Sequence, residues 1–565
     1  MAFDVKEFMA KHDEGIRYIV FGVLTLIVSW ITYAAFVFIG VDLALSNILS
    51  WICAVLFAFV VNKIYVFRCT GSSTVNLGAE LISFFGGRLF TGAVAALLFP
   101  GLVAIGLGFV FLGVEGMFAR GITSGVEILL NYVISKFIVF RKDNIIADWY
   151  SGLPEGLRKG FVKFTIIFTV AAVIFYVAFY LSDIDSEVGT LYFDYASQRL
   201  DGNMPYSDFK AEYPPFAMLL ILIPGLITES SFTYQIIFAI EVYIFLMFGL
   251  YWTYRIAERY TEKPGRISDL YIVFTVILLD FVLDRYDIFP MVLLIGAVYF
   301  FTKEKYDMAW LILAIGIVTK LYPAVAAPVF LIYLLMKKDY RSAGKGVLIC
   351  AVVALLSMLP FLIADPDTAF SFLTYHMDRG LQTESPVASV LMLLGHFDVI
   401  DISYIFNYGS DNIAGDLPDT IAKFMAPIMI VCMLALYAFY LIRTRNNDRK
   451  DGMPAVVLVS FLAVMVFMLT NKVLSSQYLV WMIPFSALLV MFAGHGDGKV
   501  AMWLFAACVT LTQLNLIVNY AFRDAGEEFG LPGILIILAR NVLLFVLTYY
   551  VVKAASERLS PESEV

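Results

Sequence analysis

Apolar runs long enough to cross a bilayer follow one another along almost the whole chain, separated by short polar stretches. Residues 16–39, 43–67, 80–108 and 117–140 each approach or exceed the roughly 20 mostly apolar positions that a spanning helix needs. Runs near 419–441, 453–470, 477–492, 499–520 and 531–553 read the same way from the C-terminus backward. A closed barrel would show shorter alternating segments. The pattern therefore predicts an all-α polytopic membrane protein.

Composition agrees. Of 565 residues, 61% are hydrophobic and 15% charged, against about 25% charged in a soluble domain. A net charge of −8 argues against a nucleic-acid partner. The five cysteines are scattered without metal spacing and read as small core residues. The four histidines form no HExxH-type pair. Nothing in the pattern calls for a metal or a cofactor. The first fifteen residues read as a short amphipathic cytoplasmic lead-in, with no cleavable signal peptide evident.

The first four predicted helices contain a repeat. Ala-Phe-Val-Val-Asn-Lys-Ile-Tyr-Val-Phe-Arg at 58–68 matches Asn-Tyr-Val-Ile-Ser-Lys-Phe-Ile-Val-Phe-Arg at 131–141, 73 residues on. Lysines and arginines ending helices on the cytoplasmic side explain the basic positions, though not the repeated Val-Phe-Arg. With its Asn/Ser-Lys-x-x-Val-Phe-Arg endings at 62–68 and 135–141, this part resembles the GtrA-like family of four-helix membrane proteins. The resemblance implies a role in moving or handling polyprenyl-phosphate-linked sugars. The predicted organisation is a GtrA-like four-helix domain over 1–147, a cytoplasmic linker over 148–163, a larger helical domain over 164–555 and a cytoplasmic tail over 556–565.

Basic clusters place both ends of the first domain in the cytoplasm. The same rule puts 255–266, 303–305, 337–345 and 443–450 inside, and 182–212, 283–287 and 364–418 outside. Forward and backward counts agree if 213–229, with prolines at its start and Pro224-Gly225 within it, does not cross the bilayer. Residues 182–216 then form an acidic exterior loop with seven carboxylates, opposed only by Arg199 and Lys210. Ionisable groups near membrane depth are costly and mark functional cavities. Those gathered on the exterior face are spread over nearly 300 residues, from Asp194 to Gln477.

Each group has a structural and a chemical reading. Asp194, among aromatics in Tyr192-Phe193-Asp194-Tyr195, is a general base or one more solvated acid. Glu212 and Tyr213, before Pro214-Pro215, fix the end of the loop or enter a site. Arg285 and Asp287 suit an internal ion pair, or orient a phosphate. Lys320 snorkels, or faces a leaving phosphate. His376, Arg379 and Gln382 lie in a polar segment where Arg379 is the best anion ligand. Lys472 and Gln477 flank Ser475-Ser476, a helix cap that also attracts anions.

In order, Asp194-Tyr195, Gly202, Pro205-Tyr206, Tyr213-Pro214-Pro215, Lys320-Leu321-Tyr322-Pro323, Arg379-Gly380-Leu381-Gln382, Glu384-Ser385 and Ser476-Gln477-Tyr478 resemble glycosyltransferase family 87 of the GT-C superfamily. The resemblance implies a GT-C-type bundle of about 12 helices with a large exterior first loop. It also implies a catalytic Asp in that loop, at Asp194, and a polyprenyl-phosphate-linked sugar donor, mannose first. The acceptor is then a glycolipid or polysaccharide hydroxyl, and single displacement gives inversion. Cations at Arg379, Lys320 or Lys472 would help the phosphate leave. Asp194→Asn is expected to abolish transfer. The expected setting is the plasma membrane, with membrane lipid as a partner, the site outside and both termini cytoplasmic. A flippase of lipid-linked sugars without transfer chemistry is the rival reading, favoured by the duplicated hairpin.

Overall fold

The computed structural model describes residues 13–38, 43–67, 117–140, 145–182, 186–377, 379–445, 452–519 and 527–559, with isolated turns between 80 and 102. The third expected helix, 80–108, and the loop acids Asp183 and Asp185 lie largely or wholly outside the described residues, as does the side chain of His376. Among the described residues, nine helices are long and apolar enough to span a membrane. The chain divides into two compact units, Met1–Arg158 with Ile223–Ile237, and Lys159–Leu222 with Phe238–Val565.

In the smaller unit, the sequence repeat is a structural repeat. The helices Leu43–Val61 and Met117–Ile134 each run into a π-helical turn, Asn62–Val66 and Ser135–Val139. Each turn is closed by an amide five residues on: Phe67 N–H donates to the Asn62 carbonyl at 2.8 Å, and Phe140 N–H to Ser135 at 2.9 Å. The turn widens the helix locally and points the two repeated phenylalanines at each other. Phe67 and Phe140 stack with centroids 5.1 Å apart. Their lysines pair crosswise. Lys63 meets Glu80, and Lys136 meets Glu14 at 2.9 Å. The flanking rings obey the same exchange, Tyr18 against Tyr132 and Phe84 against Phe59. The repeated Val-Phe is thus a packing motif: Val139 and Phe140 join Val55, Ala58, Phe59 and Phe84 in one buried cluster.

The larger unit is a helical bundle around Met453–Thr470, whose side chains are almost all buried. Beside it run Asp416–Arg445 and Leu531–Leu559, the latter paired with His495–Asn519. Ile288–Thr302 and Tyr306–Thr319 form a short antiparallel hairpin. Proline opens several helices at Pro264, Pro386 and Pro454, where the missing N–H has no intrahelical use. The doubtful segment after Tyr213 is an 11-residue helix, Pro215–Gly225. At about 16 Å it reaches about half of the hydrocarbon thickness.

The segment 364–418, read from sequence as one polar loop, is structured. It holds the helices Ser371–Met377 and Pro386–His396 and a three-stranded antiparallel sheet. Strands β1 (Leu381–Gln382), β2 (Ser403–Asn407) and β3 (Ser410–Ala414) lie in the order β1-β3-β2. Strand β3 is the centre and is almost wholly buried.

The crosswise pairs make a direct prediction. Lys63 and Glu80 are both mostly buried, so removing Lys63 takes an ion-pair partner from a desolvated carboxylate, which is destabilising. Lys63→Met should lower the thermal unfolding midpoint of the full chain in detergent. Lys63→Met with Glu80→Met should recover most of that loss.

Candidate functional site

The first loop of the larger unit is anchored before it is aimed. Ser186 Oγ accepts from Gly189 N–H at 2.8 Å, and a π-helical turn, Val188–Tyr192, follows. The Val188 amide donates to Asp284 Oδ1 at 3.3 Å, and the Tyr286 amide to the Tyr192 hydroxyl at 3.3 Å. The loop is therefore docked on residues 284–286. Buried rings of Tyr192, Tyr213 and Tyr286 pack together behind it, with Tyr213 and Tyr286 centroids 4.5 Å apart. At the far end, Tyr206 donates to the Tyr213 carbonyl at 2.6 Å, just before Pro214-Pro215 turns the chain into its next helix.

An open cleft of about 500 Å³, its mouth included, lies against this wall. On one side is Glu187. Its Oε1 accepts from the Tyr213 hydroxyl at 2.8 Å and its Oε2 faces Arg285 at 3.1 Å. Arg285 also holds Asp284 at 2.5 Å. Burial raises the Asp284 carboxyl to about 6, although the Arg285 charge opposes the rise. Burial likewise raises Glu212, opposed by a hydrogen bond from Tyr375.

The floor is Asp287, only 1% exposed. Its Oδ1 receives Lys320 Nζ at 2.7 Å and the Trp481 indole N–H at 2.6 Å. Trp481 is sandwiched between Tyr322 and Tyr478, 3.8 and 4.0 Å away. Lys320 lies over Tyr286, Tyr478 and Trp481. A desolvated ammonium needs these partners.

Arg379 lines the same cleft. Its Nη2 donates to Ser410 Oγ at 2.9 Å, and its Nε is buried with no hydrogen-bond partner among the described residues. Among the described residues no carboxylate lies within ion-pair distance of it. A half-buried guanidinium that lines a cleft and has no carboxylate at ion-pair distance suits an anion.

Of the residues singled out from sequence, Glu212, Tyr213, Arg285, Asp287, Lys320, Arg379 and Gln477 line this cleft together. Lys472 and Gln382 stand one layer behind. Lys472 Nζ donates to the Arg379 carbonyl at 2.6 Å, and Gln382 Nε2 to Ser475 Oγ at 2.7 Å. Asp194 is exposed on the helix Phe193–Leu200, accepts from Gln198 Nε2 at 2.6 Å, and is not among the lining residues. Glu187, Ser475, Tyr408 and Gly409 line the cleft without having been singled out as site residues. Glu187 was visible only as one of seven loop acids.

Behind the cleft a buried network holds the segment that carries Gln477 and Tyr478. Arg540 is fully buried. It pairs with Glu384 at 2.5 Å and donates to the Glu384 carbonyl at 2.8 Å. Ser476 donates to the same carboxylate at 2.5 Å.

Comparison with known proteins matches two parts of the chain. Residues 17–140 match the GtrA/DPMS transmembrane domain, and residues 212–469 match glycosyltransferase family 87. The second match begins at Glu212, after Glu187 and Asp194. The Listeria monocytogenes cell wall teichoic acid glycosylation protein GtcA is 29% identical over 127 residues, 22% of this chain and 83% of GtcA. The Bacillus subtilis membrane protein YwcD is 33% identical over 126 residues, 22% of this chain and 94% of YwcD. The chain thus belongs to the GtrA/DPMS family through its N-terminal helices, carries a glycosyltransferase family 87 domain that furnishes most of the cleft, and is an integral membrane glycosyltransferase.

Proposed function

We propose that this enzyme transfers a sugar, mannose first, from a polyprenyl-phosphate donor to a hydroxyl of a glycolipid or polysaccharide. The observation that carries the reading is a cleft lined by both carboxylates and cations: Glu187 and Arg379 both line it, and among the described residues no carboxylate lies within ion-pair distance of Arg379. The donor phosphate takes Arg379, and its sugar lies across the cleft. The acceptor hydroxyl enters beside Glu187. Its proton passes to Glu187 as its oxygen bonds to the anomeric carbon. The bond from that carbon to the phosphate oxygen breaks, and the electron pair leaves with polyprenyl phosphate, stabilised by Arg379 and Lys320. A single displacement inverts the anomeric centre.

Glu187 is favoured over Asp194 as the base because it lines the cleft, while Asp194 is exposed and bonded to Gln198. Glu212, raised by burial, suits a hydrogen-bonding role towards the sugar. The reaction side is the exterior face of the plasma membrane and both termini are cytoplasmic, in keeping with the distribution of basic residues. The N-terminal unit presents or moves the lipid-linked donor. The names of its relatives, cell wall teichoic acid glycosylation proteins, fit a role in envelope glycosylation. The crosswise duplicated hairpins also support a second reading, a flippase of lipid-linked sugars.

Two measurements on purified enzyme test this. Glu187→Gln should lower kcat by about a hundredfold or more, with Asp194→Asn within about threefold of wild type. Retained turnover in Glu187→Gln with loss in Asp194→Asn would return the base to Asp194. The pH profile is the second. Below about 6, Asp284 is protonated and its ion pair with Arg285 is lost, which removes a negative charge from beside the proposed base. Activity should fall as pH drops through about 6, and Asp284→Asn should remove that step and hold the enzyme at its low-pH rate.

A further inference from the structure

The β2–β3 hairpin breaks a local rule at its tip. Asn407 pairs with Ser410, which leaves Tyr408-Gly409 as a two-residue loop. Both have positive φ, 49° at Tyr408 and 66° at Gly409. Such a turn calls for Asn, Asp or Gly in the first position, because a side chain with a large Cβ substituent is strained there. A tyrosine occupies it instead. Strain of this kind persists where the surroundings over-determine it, and it gathers at ligand sites.

The surroundings here do over-determine it. The buried Asn412 side chain donates to Asn407 Oδ1 at 2.7 Å and to the Ser410 carbonyl at 2.9 Å, which braces the two strands across the turn. Arg379 grips Ser410 at 2.9 Å. The Thr383 amide donates to the Asp411 carbonyl at 3.1 Å. Tyr408 is half-buried, lines the cleft, and meets the Tyr375 ring edge-on at 5.3 Å. The tip therefore sets Tyr408 in the lining of the cleft, on the hairpin whose Ser410 bonds the guanidinium proposed for the phosphate.

We propose that Tyr408 is the donor-sugar clamp: its ring packs on the apolar C–H face of the sugar whose phosphate sits on Arg379. This rests on the donor reading above. An aromatic ring pre-positioned by its turn suits a flat apolar sugar face, because part of its ordering cost is met by the fold. The clamp makes Tyr408 a specificity-determining residue, since it reads the sugar and not the lipid phosphate.

The test compares two probes on the full chain in detergent: polyprenyl-phosphate mannose and sugar-free polyprenyl phosphate. The readout is the ratio of their affinities. Tyr408→Asn installs a residue the turn prefers, so the hairpin is kept. It should cut the preference for the sugar-bearing lipid about tenfold, a shift of 1.4 kcal/mol. Tyr408→Phe keeps the ring and should keep the preference. An unchanged ratio in Tyr408→Asn overturns the clamp while leaving the donor reading intact. An equal loss in Tyr408→Phe also overturns it, because the hydroxyl and not the ring face would then carry recognition. A wild-type protein that binds neither lipid sinks the donor reading and the clamp with it.

Discussion

Asp287 is the group on which the cleft depends. A carboxylate removed almost entirely from water needs compensation from every side. It takes Lys320 from the turn after one helix and the Trp481 indole from another segment, while its own backbone opens the helix Ile288–Thr302. Three stretches distant in sequence are thereby fixed to one point. Lys320 also lies over three aromatic rings, which adds cation–π contacts to its ion pair. The next residues out, Arg285 on one side and Gln477 with Tyr478 on the other, inherit their positions from this knot. The Glu384–Arg540 pair repeats the same logic one layer back.

Much of this was legible in the sequence. Spanning segments follow from composition, and the count of basic residues brought the ionisable loops to one face. Seven of the residues singled out on that basis line a common cleft. The choice among the loop acids was not legible, for a geometric reason. Glu187 and Asp194 are seven residues apart, two turns of a regular α-helix, and would share a face. The Tyr192 amide instead reaches back to the Glu187 carbonyl across a π-helical turn. The extra residue in that turn shifts the phase. Glu187 faces the cleft, and Asp194 faces solvent. The hairpin escaped notice for a different reason. Its strands are five residues long within a polar segment, and its turn carries a tyrosine where a turn signal would be Asn or Gly.

The smaller unit shows what a repeat encodes. Matching Val-Phe-Arg endings predicted a duplicated hairpin; the structure adds that the copies exchange partners. The lysine ending the second helix takes Glu80, and the lysine ending the fourth takes Glu14. Among the described residues, each lysine's carboxylate partner comes from the other hairpin. π-turns at equivalent positions, 62–66 and 135–139, set both lysines and both stacked phenylalanines.

A glycosyltransferase, unlike a flippase, parts the sugar from its lipid. The full chain, reconstituted in liposomes with labelled polyprenyl-phosphate mannose and an envelope glycolipid acceptor, should release free polyprenyl phosphate in step with mannosylated product. The product should carry the anomeric configuration opposite to the donor's. Movement of the intact donor across the bilayer, with no polyprenyl phosphate released when acceptor is present, would contradict it.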